Sequence, residues 1–240
     1  MINRQQVLRK CLEIENRFIE KIKDITWKPK GLFFTEGLLF CAMCELLEID
    51  LIIESGVRNG VSTEIWLKYF NSDIEVCSID IMDHTDDVEA AINRLNNYDN
   101  VTFHIGDGAE LVKGLSSATS KNVGILFDGP KSMPAITCLK ECAEIDNVKF
   151  GAIHDMGQTA KEIHDKSFLA RGRKKNKEYS ESIDVLNEWD KLILTSDDKE
   201  FVDSHFHIND SLCGENEDWD TYKNKYPIGC GLAIVNLRNQ

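Results

Sequence analysis

At 240 residues, with 42% hydrophobic and 29% charged side chains, the chain has the make-up of a globular domain with a sizeable core. Its formal net charge of −13 argues against nucleic acid as the main partner, because a phosphate backbone demands a basic face. No apolar run approaches the roughly 20 residues that span a bilayer, and the opening MINRQQVLRKCLEIENRF lacks a signal-peptide core, so a cytoplasmic location without a membrane partner is expected.

Taken in order, Val7, Leu8, Cys11, Leu12, Ile14, Phe18, Ile19 and Ile22 recur at helical spacing between Gln5 and Lys23. A loop with Trp27, Pro29 and Gly31 leads to a second predicted helix, Thr35–Leu47. Leu51–Glu54 then reads as a buried strand, followed by Gly56, Gly60, Ser62 and Thr63 and a helix to Phe70. Such a strand–glycine–helix turn lets a ligand approach the backbone and offers unpaired N–H groups to an anionic group.

Three further strands, Glu75–Asp80, Val101–Ile105 and Asn122–Phe127, alternate with helices over Val88–Asn96, Ala109–Leu115 and Met133–Ile145. A fifth strand, Val148–Ile153, ends at His154-Asp155. Strands alternating with helices predict a parallel, doubly wound sheet, whose ligands bind beyond the carboxyl ends of the strands. Glu54, Asp80, Asp107, Asp128 and Asp155 all lie at or just past those ends.

Beyond Gln158, Arg171, Arg173, Lys174, Lys175 and Lys177 form a basic run that reads as an exposed loop or insertion, followed by a helix over Ile183–Leu192. KEFVDSHFHI, Lys199–Ile208, alternates like a strand and puts His205 and His207 on one face. After a loop to Pro227, Gly231–Leu237 is a last buried strand, so two strands near the end are expected to pair antiparallel. The CxxC pair Cys41 and Cys44, like Cys138 and Cys142, sits in helical apolar sequence, where thiols act as small hydrophobes rather than zinc ligands.

The motifs ESGVRNGVST, SID, GDG, FDGPKS and AIHDM, spread over residues 36–237, resemble those of class I S-adenosylmethionine-dependent methyltransferases, in the version common among small-molecule and sugar O-methyltransferases. The resemblance implies an α/β fold: a Rossmann-like, doubly wound seven-stranded sheet, mostly parallel with an antiparallel last strand, plus N-terminal helices. It implies a single domain over 1–240, with a helical extension at 1–35 and an insertion or lid with a helix at 158–198.

The implied reaction is methylation of a hydroxyl on a small molecule, such as a nucleotide-linked or phosphorylated sugar. Gly56 and Gly60 would give backbone access to the methionyl part, Ser62 would join the cofactor-binding set, Glu54 would position the loop or the amino group, Asp80 would hold the ribose diol and Asp107 would lie near the adenine amino group. His154 with Asp128 would handle the acceptor proton, and Asp128 with Asp155 would hold Mg²⁺. His205 and His207 offer a second base, and Arg171, Arg173 and Lys174 would meet an anionic acceptor. Arg58 departs from the commoner motif, which has glycine there, and is expected to crowd the methionine end. A nicotinamide enzyme would want GxGxxG, which GVRNG does not supply. A hydroxylase-like relative, a non-catalytic cofactor-binding partner and a homo-oligomer are open alternatives.

Overall fold

The computed structural model describes residues 2–29, 31–81, 86–214, 216–225 and 231–238. Helices α1 (Arg4–Ile22) and α2 (Phe34–Leu46) come first. Asn3 and Gln6 form a reciprocal capping box at the start of α1, and its stripe Val7, Leu8, Cys11, Ile14, Phe18 and Ile22 is buried. Helix α2 is buried nearly all round, Cys41 and Cys44 included, and burial pushes both of those thiols up.

The alternation then runs β1 (Leu51–Ser55), α3 (Val61–Phe70), β2 (Glu75–Asp80), α4 (Asp86–Leu95), β3 (Val101–Ile105), α5 (Gly108–Ser117), β4 (Val123–Phe127), α6 (Met133–Cys142) and β5 (Val148–Ile153). Helices α7 (Gln158–Arg171) and α8 (Lys174–Asn187) precede β6 (Leu192–Thr195). Three short helices, α9 (Lys199–His205), α10 (His207–Cys213) and α11 (Glu217–Lys225), precede β7 (Ala233–Asn236).

The seven strands order as β3-β2-β1-β4-β5-β7-β6. The first five are parallel, and β7 runs antiparallel between β5 and β6. Alternate residues of each strand face opposite layers. Ile52, Val76, Leu126 and Phe150 pack with α1, α2 and α3, whereas Ile53, Ile79, Ile125 and Ile153 pack with α6 and α8. The doubly wound, mostly parallel sheet with an antiparallel last strand is therefore the one the sequence predicts.

Three local expectations are corrected. The segment Lys199–Ile208 is not a strand: Asp198 caps α9, and Phe201, His205 and Ile208 are buried at helical spacing. The sixth strand is instead Leu192–Thr195, and the helix expected over Ile183–Leu192 is the second half of α8, which starts earlier and ends at Asn187. The basic run is helical rather than a loop, interrupted at Gly172, whose φ of +59° is left-handed, and at the extended Arg173. Ion pairs Lys161–Asp165, Lys166–Glu162, Lys174–Glu178 and Lys177–Glu181 at i,i+4 support the polar faces of these two helices, while Ile183 and Leu186 bury the other face of α8.

Candidate functional site

The ends of β1, β2 and β3 enclose a cavity of about 250 Å³, lined by backbone at Gly56, Gly106 and Gly129, by the acids Asp80 and Asp107, and by the apolar Ile81 and Pro130. Gly56 has φ +92°, and a Cβ there would stand 2.6 Å from Gly129 N, so only glycine lets β1 leave the sheet this close to the end of β4. Ser55 O accepts from both Asp128 N and Gly129 N, at 2.7 and 2.9 Å, which joins the two strand exits.

Gly60 caps α3 in the left-handed conformation, with φ +74°. Asp80 Oδ2 accepts from the backbone of Val57 and Arg58, both at 3.1 Å, so this acid holds the glycine turn as well as facing the cavity. Asp107 caps α5, accepting from Ala109 N at 2.8 Å and Glu110 N at 3.2 Å. Arg58 has φ +49° and points to Asp87 of α4, with Nε 3.3 Å from Oδ2. It is not among the residues lining the cavity, contrary to the expected crowding.

Glu54 is fully buried and accepts from Thr63 Oγ1 at 2.5 Å. Burial pushes its carboxyl up to about 7, against the pull of the Ser62 and Thr63 hydroxyls. Glu54 and Ser62 thus tie the start of α3 to β1 rather than lining the cavity.

Across the β1–β4 junction lies a different arrangement. Asp128, at the end of β4, and His154 and Asp155, at the end of β5, come together with Lys131 and with Glu36 of α2. His154 Nδ1 is 2.7 Å from Asp128 Oδ1, and its Nε2 is 3.2 Å from Glu36 Oε2. Lys131 Nζ lies 2.6 Å from Asp128 Oδ1, donates to Asp155 Oδ2 and stands 3.3 Å from His154 Nδ1.

Burial works against charge throughout this group, but the pairing wins. The neighbouring carboxylates Asp155, Asp128 and Glu36 lift His154 well above its usual range despite desolvation. Lys131 is likewise raised, because Asp128 and Asp155 outweigh its burial. Burial would raise Asp128, yet His154 and Lys131 bring it below the ordinary carboxylate range.

The chemistry here was only half readable in the chain. Lys131 and Glu36 were not singled out, although each left a trace: Lys131 stands three residues after Asp128, and Glu36 is a lone acid opening an apolar helix. The donor atoms of Asp128, His154 and Asp155 lie within 4.8 Å of one another, a separation that a metal could bridge. The Lys131 ammonium, however, contacts all three groups and already bridges the two carboxylates as their counter-ion. The cluster as folded does not fit Mg²⁺.

The remaining candidates lie elsewhere. His205 and His207 both approach Glu15 of α1, His207 at 3.2 Å, so they belong to the packing of α9 and α10 on the N-terminal helix. Arg173 and Lys174 are exposed at the α7–α8 break, Lys174 pairing with Glu178 at 3.5 Å. Arg171 ends α7, and its side chain falls outside the described residues.

No family model and no curated protein matches this chain. Solved structures do. TomG of Streptomyces achromogenes, an O-methyltransferase of tomaymycin synthesis solved with S-adenosylmethionine, is 10% identical, with a TM-score of 0.57 over 98% of this chain and 90% of that one. A proposed O-methyltransferase of Klebsiella pneumoniae is 12% identical, with a TM-score of 0.56 over 97% and 90%. A proposed caffeoyl-CoA O-methyltransferase of Staphylococcus aureus is 15% identical, with a TM-score of 0.56 over 94% and 91%. The chain has the class I methyltransferase fold. In that fold the cavity beyond β1–β3 stands at the carboxyl edge of the sheet, where doubly wound proteins take their ligands. Among the described residues, no helix of this methyltransferase fold is long and apolar enough to cross a membrane.

Proposed function

We propose that the protein transfers a methyl group from S-adenosylmethionine to a hydroxyl of a small molecule. The observation that carries this reading is the pairing of two sites across one backbone junction: a glycine-walled cavity with two acids, and a charged cluster beside it. The cavity fits the cofactor chemically. Glycine backbones admit close approach, Asp80 is a carboxylate suited to a ribose diol, and Ile81 offers apolar surface to a flat base.

When bound, the cofactor supplies an activated methyl on a sulfonium. The chain then has to align the acceptor, balance charge and take a proton. Asp128 orients His154, whose imidazolium together with the Lys131 ammonium keeps positive charge beside the acceptor oxygen. With Asp128 on one ring nitrogen and Glu36 on the other, His154 serves as a charge-bearing partner of Asp128 rather than as the base first expected. Asp155, the most exposed member of the cluster with 31% of its side chain accessible, is the group placed to receive the proton. The acceptor O–H becomes more acidic as its oxygen is alkylated, so a carboxylate is a sufficient base.

The acceptor we favour is an anionic sugar derivative, met by Arg171, Arg173 and Lys174 where α7 and α8 adjoin. Burial pushes the hydroxyl of Tyr179 on α8 up, with smaller opposing influences from Lys131 and from Asp155 and Asp128 that put this helix on the cluster's side of the sheet. The segment 158–198 then borders the acceptor site, and α1 and the loop after it extend the same single domain. Soluble cytoplasmic action fits this reading.

Two measurements test it. S-adenosylhomocysteine at about 100 times its Kd should stabilise the fold by about 2.7 kcal/mol, seen as a rise in Tm, whereas NADH should not. Neutralising Arg171, Arg173 and Lys174 together should raise acceptor KM while leaving cofactor binding intact. A melt shifted by NADH and not by S-adenosylhomocysteine would end the methyl-transfer reading. Unchanged KM would end the anionic-acceptor part alone.

A further inference from the structure

Lowering the energy of an oxygen that is losing its proton calls for a fixed positive charge close by. A carboxylate-lined site supplies one either by holding a divalent ion or by placing an ammonium of its own. Asp128, His154 and Asp155 carry the donors of the first solution, three atoms within 4.8 Å of one another. One oxygen of each carboxylate is engaged by the second. Lys131 Nζ is 2.6 Å from Asp128 Oδ1, is bonded to Asp155 Oδ2 and is 3.3 Å from His154 Nδ1.

A magnesium ion would need to lie at about 2.1 Å from those oxygens, with several further ligands around it. That centre would lie between the same two carboxylates that the ammonium already bridges. The lysine is not a stray surface chain that has wandered in. Its side chain is only 17% exposed, and it reaches both carboxylates from the turn directly after β4. Asp155, the more exposed of the two acids, is presented to it from a left-handed backbone at φ +59°. An uncommon conformation of this kind is strained for a residue with a side chain and needs surrounding contacts to hold it.

We infer that Lys131 is a built-in replacement for a divalent cation: its ammonium occupies the place where the two strand-end carboxylates would otherwise hold a metal. Granted the methyl-transfer reading, on which the consequence rests, the protein works without a metal ion. Charge at the acceptor is then supplied by a covalently attached group, independent of metal supply.

Mn²⁺ binding followed by electron paramagnetic resonance tests this without any need for turnover. Wild type should show no saturable site, and addition of chelator should leave its S-adenosylhomocysteine affinity unchanged. Lys131→Ala, which vacates the position, should bind one Mn²⁺ at least about tenfold more tightly than wild type, as two hard carboxylate oxygens allow. Asp155→Asn in that background should abolish the gain.

Stoichiometric Mn²⁺ uptake by wild type that Asp155→Asn removes would overturn the inference, and so would a folded Lys131→Ala that takes up none. If Lys131→Ala does not fold, the wild-type and Asp155→Asn titrations still decide between an ammonium and a metal. Failure to bind S-adenosylhomocysteine alongside the expected Mn²⁺ results would sink the methyl-transfer reading and leave the internal cation standing.

Discussion

The β1–β3 side and the β4–β5 side of the sheet edge carry the same kind of residue and use it differently. On the first side, Asp80 accepts from two backbone N–H groups of the glycine turn, Asp107 caps α5 and Glu54 ties down Thr63. On the second, Asp128 and Asp155 face cations, Lys131 and His154. One set of strand-end carboxylates shapes loops, while the other holds charge. An acid at a strand end is therefore informative about chemistry only once its partner is known, and N–H partners and cationic partners give opposite answers.

Exchanging acid for amide on each side is the strongest way to break that contrast. Asp128→Asn leaves Lys131 and His154 short of a counter-charge, and loss of one member of a buried ion group costs about 3–5 kcal/mol. With 16% of the Asp128 side chain accessible, the lower end of that range is expected in urea denaturation. Asp80→Asn should cost stability little and weaken S-adenosylhomocysteine binding by about 10-fold or more, as for loss of a charge-assisted bond. Equal stability losses from the two changes would erase the distinction drawn here.

A smaller effect sharpens it through pH. Burial holds the Glu54 carboxyl up near 7, so the folded chain keeps a proton that the unfolded chain has already released. Stability should thus fall as pH rises from the ordinary carboxylate range through about 7, and level off above it. Glu54→Gln removes the titration. Its advantage over wild type should grow by on the order of 1–3 kcal/mol between pH 5 and pH 8, read from melting curves. His154, raised in the folded state on the other side, adds a loss that sets in only as pH climbs through its own elevated range.

The smallest expected change is at Arg58. Relief of its left-handed backbone by Arg58→Gly should exceed the exposed ion pair to Asp87 that is lost, for a net gain of about 0.5–1 kcal/mol. Cofactor affinity should stay as in wild type, because the arginine side chain points to α4 and not into the cavity. A large rise in affinity would restore the crowding expected from the motif.

The strands were legible wherever a run such as LIIES or VGILF is buried on both faces, since parallel strands covered by helices read as unbroken apolar sequence. LILT was missed because four residues next to a helix leave no period to read, and KEFVDSHFHI misled because Phe201, His205 and Ile208 satisfy a helix while their neighbours mimic alternation. The acids of the site were legible for the same reason as the strands, each closing an apolar run. Glu36 was not, because its meeting with His154 depends on how α2 crosses the sheet. Lys131 was visible three places after Asp128, but its second partner comes from another strand.

The two hydrogen bonds that Ser55 O receives from Asp128 N and Gly129 N leave no hinge between the glycine turn and the charged cluster. A shift of Asp128 toward a bound acceptor must drag the floor of the neighbouring cavity with it. A ligand that displaced Asp128 would therefore disturb the cavity beside it, and by linkage a ligand in the cavity would disturb the cluster to the same degree.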